Sequence, residues 1–423
     1  MDRGGNGAAR NVAHGSQTGT GDVADLANSF VAHRATASEP RTPTGRLKEI
    51  AAMALTSVPD VQWRALSERA IEPNGYLLPE WMRAVDASAR DRTNVRALTA
   101  WSAATDSLIG LLPVIPLQRA YGIPLPALAT ADPYGTLSTP LLDRGCASEA
   151  FAQMMDQAQR NGARALILRD VALGGPAMAA ITDALARKKL APTILQSHVR
   201  ASLDATGDAD EVLRDALGAK KLKELRRQRN RLTETGEVVF EVARSAAEID
   251  AALNVFLDLE ASGWKAKRGT ALKLHAGDAA FIRRATTALA ASRQCEIVSL
   301  RAGPTPIAAA VILKHHDRAF YFKLGVDERF AKLSPGVQLT LNVTRHLCAD
   351  PAIALVDSTA IPDHPMIDPI WRGRLGIGDV LVPLRRFDPV VPMIFAALSL
   401  RQGVRAQLRR VLHVIRKRQE KPQ

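Results

Sequence analysis

The sequence has few cysteines, few aromatic residues and no long apolar run. Phe, Trp and Tyr make up 4% of its 423 residues. No apolar run approaches the roughly 18 residues of a membrane-spanning helix, so we expect a soluble protein. The three cysteines, Cys146, Cys295 and Cys348, have no paired spacing, which argues against a zinc site or a disulfide framework. This cysteine usage fits a reducing compartment, and we predict a cytoplasmic protein without a metal.

Length and apolar content indicate two folded domains with tails. Hydrophobic residues make up 47% of the chain, enough for a sizeable core, and 423 residues are too many for a typical single domain. Residues 1–46 are rich in Gly, Ala, Thr and Ser and have no apolar core. We expect a disordered leader there, neither a signal peptide nor a folded segment.

The net charge is +13, and much of the positive charge lies in two runs, Lys220–Arg231 and Arg405–Lys421. Each run is either a solvated helix face or a contact surface for nucleic acid, membrane or an anionic cofactor. The second run follows the short apolar stretch Val390–Leu400. Together they could form an amphipathic helix on a membrane surface, and we treat residues 387–423 as a basic C-terminal tail.

The order of predicted elements indicates two related α/β halves, residues 47–206 and 207–386. In each half two strand-like runs are joined by a short turn and followed by a helix and another strand. The paired runs are Val95–Trp101 with Leu108–Leu117, and Cys295–Arg301 with Ile307–His315. We therefore predict an α/β fold with a mixed, partly antiparallel sheet and a duplicated unit.

The segment Ala319–Leu341 carries the strongest chemical signal, because a predicted strand there leads through a loop into a helix. Ser334 is suited to cap that helix, Pro335 to its first turn, and Gly336 to the close approach of a ligand. Free amides at such a helix start bind phosphate or pyrophosphate. The alternative is an ordinary capped helix.

Four motifs resemble those of the GNAT acyltransferases. They are EASGWKAK at Glu260–Lys267, YFKLGVD at Tyr321–Asp327, FAKLSPG at Phe330–Gly336 and VDSTAIPDHPMIDPIW at Val356–Trp371. They are similar to the CelD-type branch, named for cellulose biosynthesis, which is related to the FemAB-type transferases with two GNAT halves. The resemblance covers about Leu222–Leu384, with a looser likeness over Trp63–Leu142.

The resemblance implies two tandem GNAT-like domains and an acyl-CoA site in the second. The pantetheine arm would pair with the Ala319–Leu324 strand, and an amide near Leu324–Val326 would stabilise the oxyanion. An amine attacks the thioester directly, so the site needs a base for the ammonium proton rather than a Ser or Cys nucleophile. The implied cofactor-binding residues are Leu324, Val326, Lys332, Ser334, Gly336, Val337 and Gln338.

The chain departs from the common GNAT pyrophosphate motif, which has Gln or Arg, two residues, Gly, one residue, then Gly or Ala. Aligned on Gly336, the first two motif positions hold Ala331 and Ser334, and Lys332 is placed to supply the missing charge. The first half has no Gly-rich turn that leads into a helix. We therefore expect residues 47–206 to bind no cofactor.

Four residues are candidates for catalysis: Lys323, Asp327, Asp357 and Glu260. Lys323 alternates with Tyr321, so both side chains are expected on one face of the strand, unless Lys323 is simply an exposed strand lysine. Asp327 is interpreted as a base, a partner of Lys323 or a loop cap. Asp357 ends a strand, where polar residues often face the ligand crevice. For Glu260 the family resemblance implies a role as base.

Three further residues, Trp264, Tyr321 and His364, are candidates for substrate binding. Trp264 shares a helix face with Glu260 and is interpreted as a core or cleft-wall residue. Histidine titrates near neutral pH, so His364 is either a base or a surface residue of its loop.

The leading hypothesis is an N-acyltransferase that transfers an acyl group from acyl-CoA, with acetyl-CoA as the expected donor. Its acceptor would be an amine of a small molecule, a sugar or an envelope precursor. One alternative is FemAB-like transfer from aminoacyl-tRNA, with Lys220–Arg231 on the RNA. Another is a non-catalytic GNAT-like module in polysaccharide or envelope biosynthesis.

Overall fold

The structure, a computed structural model, describes residues 53–88, 95–131, 133–263 and 269–419, with only the backbone at 405, 406 and 408–419. The expected leader, residues 1–46, lies outside the described residues. The elements of the first half are β1 (Met53–Ala54), α1 (Asp60–Glu68), α2 (Pro79–Ser88), β2 (Arg96–Ser102), β3 (Ser107–Pro116), α3 (Leu117–Tyr121), β4 (Ala127–Thr130), β5 (Leu141–Leu142), α4 (Ala147–Arg160), β6 (Ala165–Ala172), α5 (Pro176–Arg187) and β7 (Thr193–Asp204).

The second half continues the alternation of helices and strands. Its elements are α6 (Ala209–Leu232), β8 (Val238–Ala243), α7 (Ala246–Ser262), α8 (Ala276–Ala291), β9 (Cys295–Ala302), β10 (Thr305–His315), β11 (Arg318–Val326), α9 (Pro335–Cys348), β12 (Leu355–Asp357), β13 (Gly373–Pro383) and α10 (Val390–Gln419). Short 3-10 turns include Gly75–Leu77, Leu272–Leu274 and Glu328–Leu333.

The described strands form one mixed sheet in the order β1-β2-β3-β4-β6-β13-β7-β12-β11-β10-β9-β8, with β5 beside β3. The hairpins β2–β3 and β9–β10 are both antiparallel, as their short turns require. The two halves also share strands. β13, at the end of the second half, lies between β6 and β7 of the first, and β7 pairs in turn with β12. Residue 206 therefore divides the halves in sequence but not in the sheet.

The hydrophobic core lies on both faces of this sheet. One cluster spans both halves and contains Trp63 and Trp81 of the first with Phe256, Phe281 and Phe320 of the second. Two smaller clusters lie on the opposite face, one under α4 and α5 and the other under α6 and α9. Because one core is built from both halves, their relative position is fixed by buried apolar contacts.

Local sequence signals account for several element ends. The sequence predicts a capping box at Ser245 and Glu248, and this box starts α7, since each side chain bonds the other residue's backbone amide. The sequence predicts one continuous helix over Ala209–Thr235, and this is wrong in one respect: α6 is kinked at Gly218, which has φ +71°. The break depends on the positive φ of Gly218, a backbone conformation that glycine permits but does not require.

The C-terminal segment is helical in the described chain. α10 buries Ile394 and Leu398 in the large core cluster and then continues through the basic run to Gln419. Among the described residues, no helix is both long enough and apolar enough to cross a membrane.

Candidate functional site

The centre of the sheet opens where β11 and β12 separate. β11 pairs with β10 along its length, but the parallel strand β12 pairs with it only from Arg318 to Phe320. Beyond Phe320, no described strand adds to that edge of β11. An edge that no neighbouring strand extends is where an extended ligand can pair with the main chain.

Hydrogen bonds fix the direction of the groups along this edge. The Thr359 hydroxyl, just after β12, donates to the Tyr321 carbonyl at 2.7 Å. Farther along β11, the Asp327 amide donates to the Ile307 carbonyl on β10. Because successive main-chain groups alternate in direction, the Val326 amide is directed the other way, towards the opening.

A bulge in β11 corrects the expected positions of Tyr321 and Lys323. Tyr321 is opposite Ile312 and Lys323 is opposite Val311, so Phe322 is an extra residue on β11. The extra residue breaks the period of two. Tyr321 points to α9, where its hydroxyl lies 3.4 Å from that of Thr340. Lys323 lies on the α7 side instead, so the two side chains do not line one face.

The start of α9 has two amides without a partner. Among the described residues, neither Gly336 N–H nor Val337 N–H donates a hydrogen bond, while the Gln338 amide already donates to the Ser334 carbonyl. The Gln338 side chain donates to the Leu225 carbonyl of α6 at 2.8 Å. The backbone amide and the side-chain nitrogen of Gln338 thus each have a partner within the protein, so these contacts do not support the expectation that Gln338 binds phosphate.

Ser334 also differs from the expectation. It precedes α9 with a left-handed backbone (φ 53°, ψ 52°), and its hydroxyl makes no capping bond. A capping side chain needs an extended backbone, which the preceding 3-10 turn does not provide. The Ser334 amide is also occupied, because it donates to Ala331 O at 3.1 Å. Lys332 is exposed in that turn, two residues before Ser334.

Gly336 was expected to leave room for a ligand, but side chains of the protein pack against its Cα instead. A Cβ at this position would lie 3.1 Å from Met366 Sδ, 3.2 Å from Leu324 Cδ2 and 3.3 Å from Val326 Cγ1. These side chains fill the space between the helix start and the edge of β11. Any ligand reaching the free amides must approach along their N–H bonds or displace Met366.

On the opposite face of the sheet, Glu260 and Lys323 form an ion pair. Lys323 Nζ lies 3.2 Å from Glu260 Oε1, and the two side chains are 17% and 0% exposed. Glu260 Oε2 accepts the Leu272 amide at 3.0 Å. Gly325 permits this contact, because a Cβ there would lie 2.8 Å from the Glu260 backbone nitrogen. α7 thus packs directly on β11 beside the open edge.

Asp357 forms a buried ion pair with Arg200, a residue that the sequence did not point to. Both side chains are almost inaccessible, at 1% and 3%. Arg200 also donates to the Thr136 carbonyl at 2.7 Å, and the other Asp357 oxygen accepts the Thr359 amide at 2.8 Å. The pair joins β7 of the first half to β12 of the second. No local signal could have identified it, since 157 residues separate the partners.

Tyr76 is a second residue that the sequence did not single out. Its ring packs edge-on against Phe320, and burial raises the pKa of its hydroxyl above the ordinary value. Thr136 donates to that hydroxyl at 3.3 Å. Tyr76 and Thr136 belong to the first half, which therefore packs directly on β11 at Phe320, where the pairing with β12 ends.

Asp327 pairs with Arg329 and not with Lys323. It accepts the Arg329 amide and guanidinium, and these hydrogen bonds lower the pKa of its carboxyl. Asp327 therefore caps the 3-10 turn Glu328–Leu333, one of the roles expected for it. The turn borders an open cleft of about 520 Å³, which the end of α7 and the start of β10 also line.

Two candidate residues for substrate binding remain, His364 and Trp264. His364 Nδ1 accepts the amides of Met366 and Ile367, so the ring is used to hold its own loop. Trp264 lies outside the described residues. In the described part of the chain, no three His, Cys, Asp or Glu residues are placed to hold a metal ion.

Residues 219–363 match the family model described as acetyltransferase (GNAT) domain. The match runs from α6 to the loop after β12 and includes the open strand and the start of α9. A GNAT acetyltransferase domain model thus describes roughly a third of the chain, the part that contains the candidate site. None of the curated proteins compared with the sequence matches it significantly.

Solved structures with the same architecture cover most of the chain. FemX is 10% identical with a TM-score of 0.53, over 80% of this chain and 98% of that one. The C-terminal domain (DUF2156) of a putative lysylphosphatidylglycerol synthetase from Agrobacterium fabrum is 14% identical with a TM-score of 0.50, over 80% and 95%. At these identities the likeness shows the fold, and the predicted mixed α/β class is confirmed.

Proposed function

We propose that the chain is an acyl-CoA-dependent N-acyltransferase of the CelD-like branch, with acetyl-CoA as the expected donor. The observation that supports this most is the edge of β11 beyond Phe320, which no described strand extends, beside two amides of α9 that have no partner among the described residues. A pantetheine arm is an extended chain with amide groups, and it can pair with such an edge. A pyrophosphate is an anion, which free amides at a helix start stabilise.

Each part of the donor has a candidate partner. The pyrophosphate would accept hydrogen bonds from Gly336 and Val337, with the exposed Lys332 adding positive charge. The Val326 amide, directed into the opening, would donate to the thioester oxygen as negative charge develops there. Met366 would have to move aside for the arm, and an unbranched side chain suits such a change.

Glu260 is the proposed base, and Lys323 positions it. Lys323 directly precedes Leu324 on the open edge, so the ion pair lies next to the expected thioester. The acceptor nitrogen would attack the thioester carbon, Glu260 would take the ammonium proton, and the C–S bond would break to release CoA. Asp357, locked by Arg200 and Thr359, is assigned to positioning of the two halves rather than to proton transfer.

We propose that the first half binds no coenzyme. Its corresponding helix, α4, starts at Ala147 with Glu149 in its first turn. Negative charge at this position would repel a phosphate. The acceptor is proposed to be an amine of a small molecule, a sugar or an envelope precursor, in the cytoplasm or at the inner face of the membrane.

The direct test is release of CoA thiol from acetyl-CoA in the presence of a panel of amines. Wild-type protein should release CoA with at least one amine. Glu260→Gln should lower kcat by about a hundredfold, the usual contribution of a general base, and should remove the acidic limb of the pH profile. A Glu260→Gln variant as active as wild type at every pH would refute the assigned base.

The second candidate function is transfer from aminoacyl-tRNA. The observation in its favour is that Lys220, Lys223, Arg226 and Arg227 are all exposed on α6, the helix held to α9 through Gln338. Binding of tRNA that falls steeply with added salt, together with no uptake of acetyl-CoA, would support this function over the first.

A further inference from the structure

The turn before α10 holds an unusual phenylalanine. Phe387 is 93% exposed and has a left-handed backbone with φ 52°. Bulky residues rarely adopt this conformation, and apolar rings are rarely left so fully in water. Two exposed arginines, Arg385 and Arg386, precede it, and the Arg386 guanidinium lies 5.0 Å from the centre of the ring. The turn therefore presents an aromatic ring next to positive charge.

The first half of α10 continues this apolar surface. Met393, Leu400 and Val404 are 56%, 71% and 51% exposed. Their spacing of seven and four residues places them on one stripe of the helix. The inner face is separate, because Ile394 and Leu398 are buried in the core. The exposed stripe therefore lies outside the buried core.

Positive charge predominates around this surface. Residues 385–423 contain ten Arg and Lys against two acidic residues. One of the two, Asp388, is buried and paired with Arg164 at 3.0 Å, where it also accepts the Val390 amide at the start of α10. Between residues 385 and 404, the exposed side chains thus carry positive charge only.

We propose that the Arg385–Phe387 turn and the Met393–Val404 stripe form a docking surface for an anionic lipid bilayer. Aromatic and aliphatic side chains enter the boundary between headgroups and acyl chains, while arginines bind anionic headgroups. A nucleic acid would use the arginines but not Met393 or Leu400. A second copy of the chain would place the same arginines against each other.

Full-length protein can be sedimented with vesicles of phosphatidylcholine containing about a third phosphatidylglycerol, and with vesicles of phosphatidylcholine alone. We expect binding to the anionic vesicles that weakens with salt. Phe387→Gly should reduce binding by about tenfold through loss of the ring. Its thermal midpoint should not fall, because glycine accepts the left-handed backbone. Arg385→Glu with Arg386→Glu should reduce binding at least tenfold.

The matched control is Lys220→Glu with Lys223→Glu, the same change of charge at exposed positions of α6. It should leave vesicle binding nearly unchanged. No binding to anionic vesicles, equal loss in this control, or unchanged binding of Phe387→Gly would overturn the proposal. So would a dimer in solution, without vesicles, that Phe387→Gly dissociates.

This inference shares the peripheral location of the proposed function but does not depend on acyl transfer. Vesicle binding without CoA release would refute only the transferase. CoA release that Phe387→Gly leaves unchanged in solution, together with loss of vesicle binding in that variant, would support both.

Discussion

Arg200 and Asp357 form a buried ion pair between β7 of the first half and β12 of the second. Asp357 is the last residue of β12, where β11 and β12 begin to separate. Thr359 in the loop that follows bonds back to Asp357 and across to the Tyr321 carbonyl of β11. The ion pair therefore lies at the point where the opening in the sheet begins.

Removal of one partner of this pair should be strongly destabilising. Asp357→Ala leaves the Arg200 guanidinium buried without its counter-charge, which costs about 3–5 kcal/mol in the free energy of unfolding. The double variant Arg200→Met with Asp357→Leu should recover part of this loss, because it removes both buried charges. Urea denaturation of wild type, the single variant and the double variant measures these differences. Equal loss in the single and double variants would contradict the account.

Gly325 tests the close contact between α7 and β11. Gly325→Ala should lower the free energy of unfolding by about 1–3 kcal/mol, because its Cβ meets the Glu260 backbone and one element must shift. CoA release should fall as well, since the shift displaces Glu260 from Lys323. Gly376→Ala is the matched control, as the nearest atom to its Cβ is 4.0 Å away. If both variants behave alike, close packing at Gly325 is not needed.

Gly336 tests the filled space at the start of α9. Gly336→Leu should cost about 1–3 kcal/mol, since the side chain has to displace Met366, Leu324 and Val326. Met366→Ala in the same protein should restore part of the stability by making room. Thermal denaturation of the single and double variants gives the comparison, and absence of any rescue would mean that Met366 is not the obstructing neighbour.

A charged cluster at the far side of the second half makes stability depend on pH. Glu296 on β9 accepts hydrogen bonds from His346 at 2.7 Å and from Lys314 at 2.8 Å. Burial opposes ionisation of its carboxyl, but the hydrogen bonds and charges of His346 and Lys314 win and lower its pKa to about 2. The ionised form is therefore favoured in the folded protein.

The direction in which stability changes with pH follows from this lowered pKa. A lowered pKa adds stability at pH values above the ordinary 4.5, and the added stability is lost as pH falls from 4.5 towards 2. The full contribution is about 3 kcal/mol. Glu296→Gln should therefore be less stable than wild type at pH 6, with the difference shrinking below pH 4. Urea denaturation across this pH range checks it, and a constant difference would contradict the assignment.

The elements that short-range patterns determine were predicted. The β9–β10 hairpin follows from two apolar runs and a Gly-containing turn, and the start of α7 from the Ser245–Glu248 capping box. The start of α9 at Pro335 was also predicted, because proline fixes its own backbone for the first turn. These are interactions between residues close in sequence, and the motifs of the candidate site lie in such segments.

The predictions that were wrong concern contacts between residues far apart in the sequence. The extra residue Phe322 is accommodated by pairing with β10, so the strand's own alternation pointed Lys323 to the wrong side. The partner of Asp357 lies on a strand of the other half. Likewise, the space beside Gly336 is filled by Met366, thirty residues farther along. Whether the space beside a glycine Cα is empty or filled depends on the residues that pack there. The local sequence around the glycine does not specify those residues.

The most direct test of the central claim is calorimetric titration of the full-length protein with acetyl-CoA, in wild type, Val337→Ala and Val337→Pro. Proline fits the first turn of a helix but has no backbone N–H. Alanine also shortens the valine side chain but retains the backbone N–H. Loss of one hydrogen bond to a charged group should weaken binding by about tenfold or more in Val337→Pro. Wild type and Val337→Ala should bind similarly. No binding by folded wild-type protein, or equal affinity of the alanine and proline variants, would contradict the proposed coenzyme site.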